Sequence, residues 1–240
     1  METLNRLMSV SRTTEVNAVA GRIIAEYEKD DWTSDTHLTG IFNLLTQSNT
    51  LLTSSINRIK AESDLEQKDE IRDDKVRSVY YLILGFTHHP DLAIKTAAQE
   101  IYNVFEHYGV DIVGKSYAIE TSFIQSLLVE FANPNMQPWI SALPGLNQLI
   151  TSLTTAQNEF EAASILYEEE KAAEGTKENA TQIKKEVVVI INDKLVIYLR
   201  AMIQVDETKY GNLTRTIAQL IEDNNEIVKK RKKKPEPTAS

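Results

Sequence analysis

Apolar residues recur along almost the whole chain at spacings of three and four, and nowhere alternate with polar ones over a sustained run. That periodicity predicts helices throughout and no sheet. A first helix is expected from about Thr14 to Glu28, with Val16, Val19, Ile23, Ile24 and Tyr27 on one stripe. Ser34 or Asp35 is suited to cap a long second helix that carries Leu38, Ile41, Leu45, Leu52, Ile56 and Ile59. The charged stretch ESDLEQKDEIRDDK is expected to be a junction, leading into a third helix through Val76, Val79, Tyr80, Ile83 and Leu84. Pro90 fits the first turn of a fourth, and Gly109 its end.

Ser116 or a near neighbour starts a fifth helix, with Ile119, Phe123, Leu127, Leu128 and Phe131 expected inward. Pro134, Pro138 and the Pro144-Gly145 pair break the pattern twice, around a short helix bearing Trp139 and Ile140. A long seventh helix is predicted from about Gly145 to Ala173, then a turn at Gly175 and Thr176. An eighth runs through Val187, Ile190, Ile191, Tyr198, Met202 and Val205, and a ninth through Tyr210, Leu213, Ile217, Leu220, Ile221 and Asn224. The fold class is all-α: an elongated multi-helix bundle of long amphipathic helices with coiled-coil-like packing.

A weak internal echo suggests two related three-helix units, about 35–109 and 145–228. Leu38, Ile41, Leu45, Leu52 and Ile59 correspond, 108 positions on, to Leu146, Leu149, Leu153, Phe160 and Tyr167. Later matches need offsets of 112 and 116, as loops of different length would require.

Composition narrows the chemistry. The chain has 240 residues and no cysteine, which removes disulfides, thiolate metal sites and cysteine nucleophiles. No run of apolar residues is long enough to span a membrane, and the first residues lack the apolar core of a secretory signal. A cytoplasmic location is the expectation. Net charge is −9; the six cations and single Glu236 of the last twelve residues contribute +5, so residues 1–228 stand at −14. An acidic body repels phosphate backbones, which leaves the tail as the one part suited to nucleic acid.

That tail, residues 229–240, opens with Lys229, Lys230, Arg231, Lys232, Lys233 and Lys234 and ends in PEPTAS. Like charges and two prolines predict disorder there, and the cations form a candidate site for nucleic acid or another anionic surface.

Residues Gly109–Ser116 read GVDIVGKS, a formal match to a phosphate-cradling loop with Gly109, Gly114, Lys115 and Ser116 as its functional positions. Such a loop needs a strand before it. Here Ile101, Val104, Phe105 and Tyr108 place a helix there, so the segment is expected to be a helix stop, a short loop and a helix start. VVVIIND, Val187 to Asp193, resembles a strand ending in a metal-binding aspartate, yet its apolar period continues as a helix through Val205.

The four histidines, His37, His88, His89 and His107, have no glutamate three residues before them and form no His-Glu-x-x-His element, so no metal site is expected. His88, His89 and His107 instead suit helix C-termini. No nucleophile motif occurs, and the carboxylate groups Glu168–Glu170 and Asp73–Asp74 fall in stretches expected to be solvated faces. Catalytic residues and cofactors are accordingly none. Tyr108 and Tyr117 flank the central loop, and Trp139 is expected to seal the bundle end.

AAQEIYNVFEHYG (Ala97–Gly109) followed by KSYAIET (Lys115–Thr121) resembles the centre of an uncharacterised bacterial all-helical family of about 240 residues, a domain of unknown function. Its members share a helix ending in Tyr-Gly, a short loop, and a helix opening with tyrosine and then Glu-Thr. Leu149, Leu153, Asn158 and Phe160 resemble its downstream element, and the resemblance covers about residues 75–225. It implies an all-helical fold and no activity, cofactor or catalytic residue. Some relatives carry a haemagglutinin-like label, which does not transfer to this chain.

The sequence therefore points to a non-catalytic interaction or structural protein with an unidentified protein partner, or a second copy of itself, as its ligand. Contact with nucleic acid or an anionic surface through residues 229–234 is the alternative, and nucleotide binding through Gly109–Ser116 a second one.

Overall fold

The computed structural model describes residues 4–174 and 179–233, and among them there is no strand. Among the described residues nine α-helices follow one another: α1 (Thr13–Tyr27), α2 (Thr36–Phe86), α3 (Leu92–Glu106), α4 (Tyr117–Ala132), α5 (Gln137–Ala142), α6 (Leu146–Glu174), α7 (Ala180–Val189), α8 (Val196–Val205) and α9 (Glu207–Lys233). A 3₁₀ turn, Val110–Gly114, joins α3 to α4, and a π-helical segment, Ile190–Leu195, joins α7 to α8. The all-α expectation holds. The turn expected at Gly175 and Thr176 lies outside the described residues, as do Lys234 and the PEPTAS end.

The largest departure is α2. The charged stretch 62–75 is no junction but the middle of one 51-residue helix. Glu, Lys, Arg, Gln and Asp tolerate or favour helix, and the stretch holds neither glycine nor proline to end one. Pro90 precedes the fourth predicted helix rather than opening it, because Asp91 is the cap and accepts hydrogen bonds from the amides of Ala93 and Ile94.

By packing, the chain divides into two compact units. The first combines residues 1–59 with 170–240, and the second is 60–169. In the first, α1, the start of α2, α7, the π segment, α8 and α9 enclose Val16, Ile23, Leu38, Phe42, Leu45, Ile183, Val187, Ile191, Leu199, Ile217 and Ile221. Each such side chain contributes about 1.5–3 kcal/mol by leaving water. Asp35 caps α2 by accepting from the amide of Leu38 at 3.0 Å. It also accepts from the phenols of Tyr198, at 2.7 Å, and Tyr210, at 2.6 Å.

Residues 4–11 form no helix, so their backbone groups need other partners. Side chains supply them. Asn192, in the π segment, accepts from the amide of Leu7 at 2.8 Å and donates to its carbonyl at 2.9 Å. Asn225 does the same for Met8 and Arg6, and Arg200 donates twice to the carbonyl of Leu4.

In the second unit, the end of α2, α3, the 3₁₀ turn, α4, α5 and α6 enclose Val76, Val79, Ile83, Ile101, Phe105, Ile112, Ile124, Leu127, Phe131, Leu146 and Leu153. Here the inward stripe of α4 differs from the expected one. Ile119 and Phe123 are exposed, and the buried positions are Glu120, Ile124, Leu127 and Phe131. Helix α4 is apolar on nearly every side, so its sequence alone leaves the inward direction open. Ile59 of α2 and Trp139 of α5 are also exposed rather than sealed.

Candidate functional site

Helix α2 places Leu65, Arg72, Val76, Val79 and Ile83 on one buried stripe, so a guanidinium occupies a position where the helical period calls for an aliphatic side chain. Arg72 is fully buried. Its Nη2 donates to Oδ1 of Asp69 at 2.6 Å and lies 3.0 Å from Oε2 of Glu120. Its Nη1 donates to the hydroxyl of Thr121 at 3.0 Å and reaches Oε1 of Gln157 at 3.4 Å. The Phe160 ring covers the guanidinium, its centroid 3.6 Å from Cζ, a cation–π contact strengthened by the absence of bulk water. Helices α2, α4 and α6 thus all contribute to one ionic centre.

Three carboxylates meet there. One oxygen each of Asp69, Asp73 and Glu120 lies within 4.8 Å of the others. Such spacing suits cation ligands, but the cation that Asp69 and Glu120 embrace is Arg72 itself. Asp73 faces outward as well, accepting from Arg77 at 2.9 Å. Burial pushes the Glu120 carboxyl up to about 8; Arg72 opposes that shift, and a hydrogen bond with Asp73 and the charges of Asp73 and Asp69 add to it. Burial likewise raises Asp69, against the pull of Arg72. From the sequence alone Asp73 belongs to a solvated face, and Arg72 and Glu120 have no assigned role. The available signal was a charge falling inside an apolar stripe, as Arg72 does between Leu65 and Val76, and Glu120 before Ile124, Leu127 and Phe131.

Thr121 and Phe160, which touch Arg72, also line a surface groove of about 410 Å³ between α4 and α6, with Tyr117, Ala118, Ser164 and Ile165. Tyr117 packs edge-on against Phe160 at 5.2 Å. A second cavity, of about 400 Å³, lies in the first unit beside the π segment, lined by His37, Ile41, Leu44, Asp193, Lys194 and Tyr198.

The phosphate-loop residues are placed otherwise. Gly109 follows α3, not a strand, and takes φ +75°, its amide donating to the carbonyl of Phe105. That φ is one which residues with a side chain rarely adopt, so the backbone itself favours glycine there. Gly114 closes the 3₁₀ turn, Lys115 pairs with Asp111 at 2.9 Å, and Ser116 stands at the start of α4. The segment is a helix stop, a turn and a helix start.

In the basic run, α9 continues through Lys233, so Lys229–Lys233 lie on a helix. Lys229 pairs with Glu222 and Lys230 with Glu226, while Arg231 reaches Glu15 of α1 and the carbonyl of Val10. The histidines do not converge. His37 lies against Tyr198, His107 against Tyr108, and His89 accepts from the amide of Asp91 just beyond the end of α2.

Comparison with curated proteins and with solved structures finds no match. A family model does match, over residues 62–225, a span that includes Arg72, its three carboxylates and all of α4 and α6. The chain belongs to the family of unknown function DUF6261.

Proposed function

We propose that this protein is a non-catalytic interaction protein whose docking face is the outer side of α4 together with the α4–α6 groove, and whose partner presents an apolar helical face. The incomplete burial of α4 carries this reading. Ten of its sixteen residues are apolar or aromatic, more than its one buried stripe uses. Only one stripe is covered. Tyr117, Ile119, Phe123 and Val129 stand in the open, Val129 at 73% exposure, and Ile165 of α6, on the groove wall, is 62% exposed. Tyr117 and Ile165 share the groove, while Ile119, Phe123 and Val129 add exposed apolar groups on the same helix, and apolar surface left open in this way supports a binding role.

A second reading rests on the helical presentation of the basic run. Lys229 and Lys230 are paired only at the surface, where ion pairs are worth at most about 1 kcal/mol and exchange readily for phosphate or carboxylate partners. The same face could therefore meet a polyanion.

One experiment separates the two. A photo-crosslinking side chain is placed singly at Val129, Ile165, Lys230 or, as a polar control, Gln99, and each variant is irradiated in the native cell. Discrete protein adducts at Val129 and Ile165, lost when Phe123→Lys is added, support docking on α4; an adduct of twice the chain mass identifies a second copy. Adducts confined to Lys230 support the basic run. Equal yields at all four positions would sink both.

A further inference from the structure

We infer that Glu120 carries a proton in the folded protein and donates it to Asp73, making this pair a proton-binding site that ties α4 to α2. Geometry carries the assignment. Glu120 is 1% exposed; its Oε2 faces Arg72, while its Oε1 is buried with no donor. Asp73 is arranged the same way: Oδ2 accepts from Arg77, and Oδ1 is buried with no donor. One oxygen of each carboxyl group lies within 4.8 Å of one on the other. Two ionised carboxylates so placed repel and leave two acceptors unmet, whereas a single proton turns one into a donor and satisfies both.

The charged surroundings favour this state. From α2, Asp69 and Asp73 oppose a second negative charge and Arg72 favours it; from α4, Tyr117 is uncharged, its own phenol raised by burial. From α6, Gln157 and Phe160 carry no charge, and Glu161 accepts from Gln157 and Gln125. Burial is the largest influence on Glu120, lifting it to about 8. A divalent cation would meet the same oxygens, but Arg72 already stands 3.0 Å from Glu120 and opposes a second cation.

The sign follows. Between the ordinary value of 4.5 and about 8, the folded chain holds one proton more than the unfolded chain at this position. The contribution to stability is therefore complete below 4.5 and is lost as pH rises through the folded value, the unfolding constant growing about tenfold per pH unit in that window.

The test compares the full-length wild type with Glu120→Gln, whose amide donates in place of the O–H. Proton release on thermal unfolding, read by calorimetry in buffers of different ionisation enthalpy, is expected to be one proton smaller in Glu120→Gln near neutral pH. The infrared band of a protonated carboxyl, present in the folded wild type at neutral pH, is expected to vanish in the variant. Asp73→Asn, whose amide supplies a donor to Glu120 and removes the neighbouring charge, is the second variant and is expected to lower the pH at which that band disappears; the infrared measurement on the wild type stands without either. Equal proton release with no change in that band overturns the proposal. So does a rise in Tm with Mg²⁺ or Ca²⁺ that a chelator reverses and Glu120→Gln abolishes, which would make the site a cation site.

Discussion

Single residues with several partners fix the helices in this chain. Asp35 is one: a helix cap in the sequence, it also receives two phenols in the structure. Burial pushes its carboxyl up, but the Leu38 amide, the Tyr210 and Tyr198 hydroxyls and the charge of Lys209 together bring it below its ordinary 3.8. Its contribution is thus fully present above 3.8 and is lost as pH falls through the lower folded value. Replacing Asp35 by Ala is expected to cost at least about 2 kcal/mol, from the lost cap and the phenols left without an acceptor. The loss is expected to be largest near neutral pH and to shrink below pH 3.8, measured by urea unfolding across that range.

At the scale of elements, the join between α7 and α8 shows what a local irregularity does. The π segment keeps the helix running while placing Asn192, 9% exposed, against the backbone of Leu7. Such segments are rare and persist where a side chain must be re-aimed. Asn192→Leu removes both hydrogen bonds to Leu7 and leaves a buried amide and carbonyl unmet, at about 1–3 kcal/mol. Hydrogen exchange is expected to speed up at Leu7 and Met8 while the amides of α3 and α4 keep their protection; unchanged exchange at Leu7 would contradict the role given to Asn192. The sequence predicted helix across Asn192–Lys194 correctly, because the apolar period runs on through Tyr198 and Val205. The extra residue per turn left no mark in that period.

For the whole molecule, the division into two units makes a prediction about where damage spreads. Arg72→Met leaves half-buried Asp69 without its cation and strips the guanidinium donors from buried Glu120 and Gln157, a change expected to cost about 2–3 kcal/mol. Faster exchange is expected first in the second unit, at Ile101, Phe105 and Leu127, and later or not at all in the first, at Ile23, Leu45 and Ile217. A uniform loss at all six amides would mean that the two cores open together. Among the described residues, no helix is long and apolar enough to cross a membrane, so the exposed apolar face of α4 is not part of such a span.

The helices were legible because helix formation is local: three-and-four spacing, a cap at Ser34 or Asp35, and Gly109 as a stop each act within a few residues, whereas the cap at Asp91 comes only from the structure. Gly109–Ser116 could be recognised as a helix boundary for the same reason, since what precedes the motif is part of the sequence. The unbroken course of α2 is harder to read, because a dense run of charge resembles a junction although charged side chains seldom end a helix without glycine or proline. What only the tertiary structure decided is which face of α4 turns inward, and hence that Glu120 meets Arg72 across 48 positions of chain. Spacing within one helix carries no information about the side chain opposite it, and a buried charge is stabilised by partners from other helices. The chain's own order thus determined where it coils, and packing alone determined where its charges meet.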